Sequence, residues 1–287
     1  MNKILSSSSK ALAAMHDQLV LKRYSVATIR VYQSMLHGFL SYLGPLSIDQ
    51  VTADHIRQYH VDLISKRNVS RSYQNQSINA IKFYFEKVLG RDRVVYQLER
   101  PKKIQKLPVV LHVDQVSKIL AVTVNLKHKA ILTTLYSGGF RVGELINLKL
   151  SDIDSKSMRI WIREGKGVKD RAVMLSPHLL LLLREYYLGY KPKVYLFEGG
   201  TGNRYSASSV RKILNRSAKK AGIQQRVVPH TLRHSFATHL LESGTNLRYI
   251  QSLLGHTNIR TTEIYTHVNS KQIAEVRSPL DLMYEKE

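Results

Sequence analysis

Pro229-His230-Thr-Leu-Arg233-His234-Ser-Phe-Ala-Thr-His239, followed by Leu254-Gly255-His256 and then by Thr-Glu-Ile-Tyr265-Thr-His, is the stretch on which the reading of this chain turns. His230 and Arg233 stand three apart, so on a helix they project from one face. Pro229 makes His230 the opening of that helix, where backbone N–H groups and the dipole attract an anion. Gly255 is a helix C-cap signal that puts His256 in the loop beyond. Well upstream, Arg141 lies in Gly138-Gly139-Phe-Arg141-Val-Gly-Glu144. The double glycine permits a backbone turn that presents the arginine, and Glu144, one helical turn on, is placed to orient it by a charge-assisted hydrogen bond. Two arginines, two histidines and a tyrosine suit attack on a phosphodiester without a metal. The arginines offset charge on the non-bridging oxygens, the histidines handle protons, and a phenol is a nucleophile able to hold a covalent phosphate.

The same motifs closely resemble those of the tyrosine recombinase (phage-type integrase) family, most of all its Xer-like and integron-integrase-like branches. That family carries an Arg in an Arg-x-x-Glu-Leu context, a Lys in a Gly-Lys-Gly hairpin, His-x-x-Arg, Leu-Gly-His, and a Tyr nine residues later. All are here in order, at Arg141, Lys166, His230 with Arg233, His256 and Tyr265. Gly138-Gly139-Phe140 before Arg141 departs from the more usual hydroxyl or Ala residue, Gly, and Leu or Met. The resemblance implies a site-specific DNA recombinase in which Tyr265 forms a 3′-phosphotyrosyl link. Arg141 and Arg233 would stabilise the phosphorane, Lys166 would protonate the leaving 5′-oxygen, His230 would accept the proton of Tyr265, and His256 would donate a hydrogen bond. It implies no metal, ATP or other cofactor. The implied partners are double-stranded DNA at specific sites and a homotetramer on it, or one shared with a paired recombinase. A type IB topoisomerase would use the same chemistry on one duplex, and a DNA-binding protein that has lost catalysis is the non-enzyme alternative.

Several residues have plainer readings. Tyr265 is one of 16 tyrosines and is selected by the family pattern alone. Lys166 sits at a hairpin tip, where most lysines are simply solvated; Lys169 and Arg171 on the same hairpin are read as phosphate-positioning. His230, His234 and His239 also offer a His-x-x-x-His pair, but the metalloprotease form needs Glu after the first His, and Thr231 stands there.

Charge supports a polyanionic partner. The 287 residues carry a net charge of +23. Residues 1–108 hold 17 basic against 7 acidic side chains and residues 109–287 hold 27 against 14, so both halves are basic. Two basic halves suit a clamp that neutralises phosphates on each side. With no cysteine, disulfides and thiolate metal sites are excluded. Neither a signal-peptide core nor an apolar run long enough to span a bilayer is expected, which points to a cytoplasmic, nucleoid-associated protein with no membrane partner.

Periodicity gives a mostly α chain. Residues 1–98 read as four helices, which the family resemblance makes a DNA-binding domain: Ala11 to Leu21, a second helix capped by Ser25 and stopped by Gly44-Pro45, a third from Thr52 to Lys66, and a fourth from Ser70 to Leu89. Arg30, Tyr32, Lys66, Arg67, Arg71, Tyr73 and Lys82 on these helices suit either phosphate contact or a solvated surface. Residues 99–108, with two prolines and Arg100, Lys102, Lys103 and Lys106, read as a basic linker. Residues 109–287 read as an α-rich catalytic domain with a small antiparallel sheet: strands at Met158 to Arg163 and Arg171 to Leu175, and a third at Val194 to Phe197. Its helices are expected at Asp114 to Val122, Leu126 to Tyr136, Val142 to Leu148, Ser206 to Ala221, Thr231 to Ser243, Leu247 to Leu254 and Ile259 to Tyr265. Beyond Tyr265, Ile273 and Val276 suit a short helical tail that packs on its own domain or a neighbour's, and in the family such a tail docks on an adjacent protomer.

Overall fold

The computed structural model describes residues 2–91, 100–101, 108–163, 170–200 and 202–255. The chain divides into two compact units, Met1–Gln105 and Lys106–Glu287. Among the described residues no helix is long and apolar enough to cross a membrane.

The first unit holds α1 (Asn2–Leu21), α2 (Val26–Leu43), α3 (Ala53–Ser65) and α4 (Arg71–Phe83). The Ser25 and Ser70 hydroxyls cap α2 and α4, accepting from Thr28 N–H at 3.1 Å and Tyr73 N–H at 3.2 Å. Gly44, at φ 59°, ends α2 in a conformation costly for other residues. The apolar positions spaced three and four apart close one core, with Met15, Leu19, Leu36, Ile56 and Leu63 all buried. Phe39 is central, 5.1 Å from the Tyr59 ring and 6.3 Å from the Phe85 ring.

Two boundaries differ from the sequence reading. α1 begins at Asn2 and takes in Ser6 to Ser9. A serine disfavours helix by only about 0.5 kcal/mol against Ala, too little to stop a helix whose next turns bury Ala11 and Met15. The fourth helix is not uniform, because α4 passes into a π-helical turn at Tyr84–Val88. That turn buries both Tyr84 and Phe85. Arg91 then lies 5.0 Å over the Phe85 ring and donates to the Val51 and Ile48 carbonyls at 2.8 and 2.9 Å. Of the basic candidates here, Lys66 pairs with Asp62 at 2.8 Å and Lys82 with Glu86 at 3.3 Å. Arg30, Arg67 and Arg71 are exposed.

The second unit contains α5 (Val113–Ala121), α6 (Leu126–Ser137), α7 (Val142–Asn147), α8 (Pro177–Tyr190), α9 (Ala207–Lys220), α10 (Pro229–Glu242) and α11 (Leu247–Leu254). α6 is its axis. Ala130, Ile131, Leu132 and Leu135 are fully buried, and α8, α9 and α10 pack around it. Three antiparallel strands run in order β1 (Ile153–Asp154), β2 (Arg159–Ile162), β3 (Arg171–Met174). Ile160 and Ile162 face the core while Arg159 and Trp161 face out, the alternation of a sheet covered on one side.

The third strand is therefore at Ile153–Asp154 and not at Val194 to Phe197. Leu196 and Phe197 are buried, so the apolar run signalled burial without a ladder; Tyr195 makes an isolated bridge to Lys149. The Glu198 carboxylate accepts the N–H groups of Lys193, Val194 and Tyr195 at 3.0, 2.8 and 3.2 Å, and around the bridge the Leu196 N–H donates to the Leu148 carbonyl at 2.7 Å and the Leu150 N–H to the Val194 carbonyl at 3.1 Å. α8 is a helix beyond those expected from the sequence; Ser176 caps it and Pro177 opens it. Leu179, Leu183 and Tyr186 on one face are its core contacts. The expected Ile259 to Tyr265 helix and the tail lie outside the described residues, as does most of the linker.

Candidate active site

The α6–α7 turn is shaped by Gly139, whose φ is +59°. A Cβ there would lie 2.4 Å from the Phe236 ring and 3.1 Å from Leu254, so α10 and α11 press directly on this backbone. Phe236, Ala237, Leu241, Ile250 and Leu254 form the small core that holds those two helices together. Arg141 is the residue capping α7. Its own N–H donates to Glu144 Oε2 at 2.8 Å and its Nη1 to Glu144 Oε1 at 2.6 Å, the orienting bond expected from the spacing.

Arg233 is only 2 % exposed. Nη1 donates to the Gly139 carbonyl at 2.7 Å and Nη2 to the Leu254 carbonyl at 2.5 Å. Its Nη1 also lies 3.8 Å from Glu144 Oε2. Two arginines 92 positions apart thus meet at a single carboxylate. Arg141 reaches further, its Nη2 lying 3.5 Å from the Gly255 carbonyl. Its side chain keeps 36 % of its surface open, so an anion can approach one guanidinium while the other is set behind it. Beside Arg141 opens a cleft of about 780 Å³ lined by Glu144, Asn147, Lys149, Asp152 and Arg163.

His230 stands exposed at the start of α10. Desolvation, then the Arg233, Arg141 and Arg211 charges, push its pKa below the ordinary value. A depressed imidazole is neutral near pH 7 and keeps a lone pair for a proton. His234, one turn on, has its ring centroid 6.3 Å from that of His230. Burial, then His230 and Arg233, lower His234 to about 4. His239 has a structural task, its Nε2 meeting the Leu111 carbonyl at 2.9 Å and its Nδ1 the Tyr136 hydroxyl at 2.8 Å. That engagement removes it from the histidine set considered for a metal.

A stability prediction follows from His234. Its folded pKa of about 4 lies below the unfolded value of 6.5, so acid favours the unfolded chain. Stability is expected to fall as pH drops from 6.5 towards 4, by less than about 3 kcal/mol, the unscreened value for a shift of this size, because solvent reaches part of the ring. Denaturant titrations across this range should show a shallower acid slope for His234→Asn; identical slopes would assign the acid loss to other groups.

Arg171 was read as a phosphate-positioning residue, and the structure corrects that. It is 9 % exposed, its Nη2 donating to Glu144 Oε2 at 2.8 Å and its Nε to the Leu253 carbonyl at 2.9 Å. The sequence signal for this was present but misread: Arg171 opens β3 in the alternation that turns Val173 inward. Lys166, His256 and Tyr265 lie outside the described residues. Lys166 belongs to the connection between β2 and β3, and His256 directly follows Gly255 at the end of α11.

Residues 109–272 match the phage integrase family and residues 12–93 its N-terminal SAM-like domain. The chain belongs to the phage integrase family and is a tyrosine-type site-specific recombinase. Among its relatives, the tyrosine recombinase XerA of Pyrococcus horikoshii is 38 % identical over 262 residues, covering 90 % of this chain and 88 % of XerA. A crystal structure of XerA recombinase superposes with a TM-score of 0.56 at 34 % identity, covering 93 % of this chain and 96 % of that one. The XerH recombinase in its post-cleavage complex with a palindromic difH substrate shares the fold, with a TM-score of 0.71 at 22 % identity over 88 % of this chain and 80 % of XerH.

Proposed function

We propose that this chain cuts and rejoins duplex DNA through a 3′-phosphotyrosyl intermediate on Tyr265, exchanging strands between two duplexes within a tetramer. The observation that carries the reading is the meeting of Arg141 and Arg233 at Glu144, with His230 on the face of α10 that bears Arg233. Such an arrangement is pre-organised for charge developing on a phosphoryl group, because its dipoles need no reorientation during reaction.

In this reading Tyr265 attacks phosphorus, the P–O5′ bond breaks, and the phosphotyrosine keeps the energy of the ester for rejoining. The phenol ordinarily ionises near 10, so a neutral His230 accepts its proton. Lys166 delivers a proton to the departing 5′-oxygen, and His256 donates to a non-bridging oxygen. Residues 1–98 grip the duplex as one half of a basic clamp, residues 99–108 span the two halves, and residues 109–287 carry the chemistry. Val268 to Glu287 docks on a neighbouring protomer. The protein acts in the cytoplasm, associated with the nucleoid. XerH, a relative in fold, is seen with its DNA after cleavage, in keeping with DNA as the substrate here.

The direct test is to retain genomic fragments on the protein, place the recovered site in a suicide duplex, and look for a covalent adduct on a denaturing gel. Absence of adduct on every retained site would overturn the reading. The general-acid assignment has its own test. A 5′-bridging phosphorothiolate leaves without protonation, so it should restore cleavage to Lys166→Ala but not to Arg233→Ala. If Lys166→Ala stays inactive on that substrate, the acid lies elsewhere.

A further inference from the structure

We propose that Arg171 is a positioning residue that ties the foot of the β2–β3 hairpin to the end of α11, so that hairpin and nucleophile-bearing segment share one anchor. The inference rests on the recombinase reading for its consequence, but the tie itself is a matter of described geometry.

Three guanidiniums converge on the C-terminal end of α11. Arg171 donates to the Leu253 carbonyl at 2.9 Å, Arg233 to the Leu254 carbonyl at 2.5 Å, and Arg141 to the Gly255 carbonyl at 3.5 Å. These are carbonyls a helix leaves without intrahelical donors, at the negative end of its dipole. The same three arginines converge on Glu144, Arg171 and Arg141 at 2.8 and 2.6 Å and Arg233 at 3.8 Å. One carboxylate and one helix end therefore share three cations, leaving the cluster net positive where a phosphate is to be held.

Arg171 differs from the other two in where it comes from. Arg141 caps a helix and Arg233 lies within one, whereas Arg171 pairs with Ile162 at the last ladder position before the connection that carries Lys166. Its guanidinium is nearly buried, so it is not offered to a ligand. Gly255 confirms how closely it is engaged. Gly255 caps α11 at φ +63°, and a Cβ there would stand 2.8 Å from Arg171 Nη1 and 3.0 Å from its Cδ and Cζ. The left-handed cap and the missing side chain together let the arginine run under the backbone that leads directly into His256. Lysine cannot replace this arrangement, because one ammonium cannot reproduce a fork that meets both a carboxylate and a carbonyl. Displacement of a catalytic group by about 1 Å costs on the order of a hundredfold in rate, which sets the scale expected when the anchor is removed.

The test uses the full-length protein with Arg171→Gln, Arg171→Lys and Gly255→Ala, read in two arms. In the first, hydrogen exchange without DNA should rise about tenfold or more over residues 247–255 in Arg171→Gln, with α5 and α8 unchanged, as expected for local loss of anchorage. Unchanged exchange over 247–255 in a folded Arg171→Gln protein would overturn the proposal. In the second arm, single-turnover adduct formation at saturating DNA should fall about a hundredfold, while DNA affinity stays within about threefold because many other cations supply it. Arg171→Lys should recover only part of the rate. Equal losses of affinity and rate, or full recovery by lysine, would instead make Arg171 a phosphate contact. Should Arg171→Gln fail to fold, Arg171→Lys carries the two readings at reduced amplitude, with Gly255→Ala as the control for strain in the left-handed cap itself, which raises exchange whatever becomes of the guanidinium. If the unaltered protein gives no adduct at all, the recombinase reading falls while the exchange arm still decides whether the tie exists.

Discussion

Tyr265→Phe is expected to remove covalent attachment to DNA altogether while leaving the protein bound to its site. The substitution deletes one oxygen, the atom that would attack phosphorus, and nothing else of the side chain. Among 16 tyrosines, several are already committed elsewhere. Tyr59 and Tyr186 are buried, with the phenol pushed up to about 12 mainly by desolvation. Tyr136 is raised as well, first by burial, and is bonded to His239. A phenol raised in this way is harder to ionise and is a poor nucleophile at neutral pH. The measurement is a denaturing gel of protein incubated with suicide DNA. A Tyr265→Phe protein that still migrates with DNA attached would remove Tyr265 from the role, and peptide mapping of the adduct would identify the nucleophile.

Arg141→Ala is expected to lower cleavage by about 10²–10³ with little change in DNA affinity, the range found when one donor aimed at transition-state charge is deleted. Arg233→Ala should be at least as damaging to rate, but the structure adds a second consequence. Arg233 is buried and supplies donors to the Gly139 and Leu254 carbonyls, so its removal leaves buried acceptors unsatisfied at about 1–3 kcal/mol each. Arg141 is the more open of the two, which makes Arg141→Ala the cleaner probe of chemistry. Rates should be compared at saturating DNA, alongside thermal melts. If rate and affinity fall together for Arg141→Ala, the residue positions DNA rather than stabilising the reacting phosphoryl group.

The arginine cluster also shows why single-residue effects will not add. Arg141, Arg171 and Arg233 share Glu144, and removing any one changes the charge the others feel. Double variants within this set are expected to be less damaging than the product of the single losses.

Much of the fold is local and could be read from the chain. α2, α3, α5, α6, α9 and α11 appear within a residue or two of their periodic patterns because Ser25, Thr52, His112, Asn125, Ser206 and Asn246 sit where helix starts need caps and Gly44 and Gly255 where ends need them. The pairing of Arg141 with Glu144 was equally legible, since three positions on a helix are neighbours in space. What failed was also local in form but not in cause. Val194 to Phe197 has strand composition, yet its backbone bonds are divided between the Glu198 carboxylate and the Leu148, Leu150 and Tyr205 backbone, so no continuous ladder forms. The leucine run of α8 lacks a clean helical alternation of apolar and polar positions, so its core face of Leu179, Leu183 and Tyr186 emerges only on packing.

Residue types, their order and the helix faces they share are written in the chain, and they point to the kind of chemistry. That Arg171, expected to reach for phosphate, is turned inward emerges only once the chain is folded. So does the sharing of Glu144 by three arginines rather than one. The reason is physical. A motif specifies neighbours within a turn or two of helix, whereas Arg141, Arg171 and Arg233 meet only because Gly139 and Gly255 carry no side chain, letting α10, α11 and β3 close over one carboxylate that must be paired once buried.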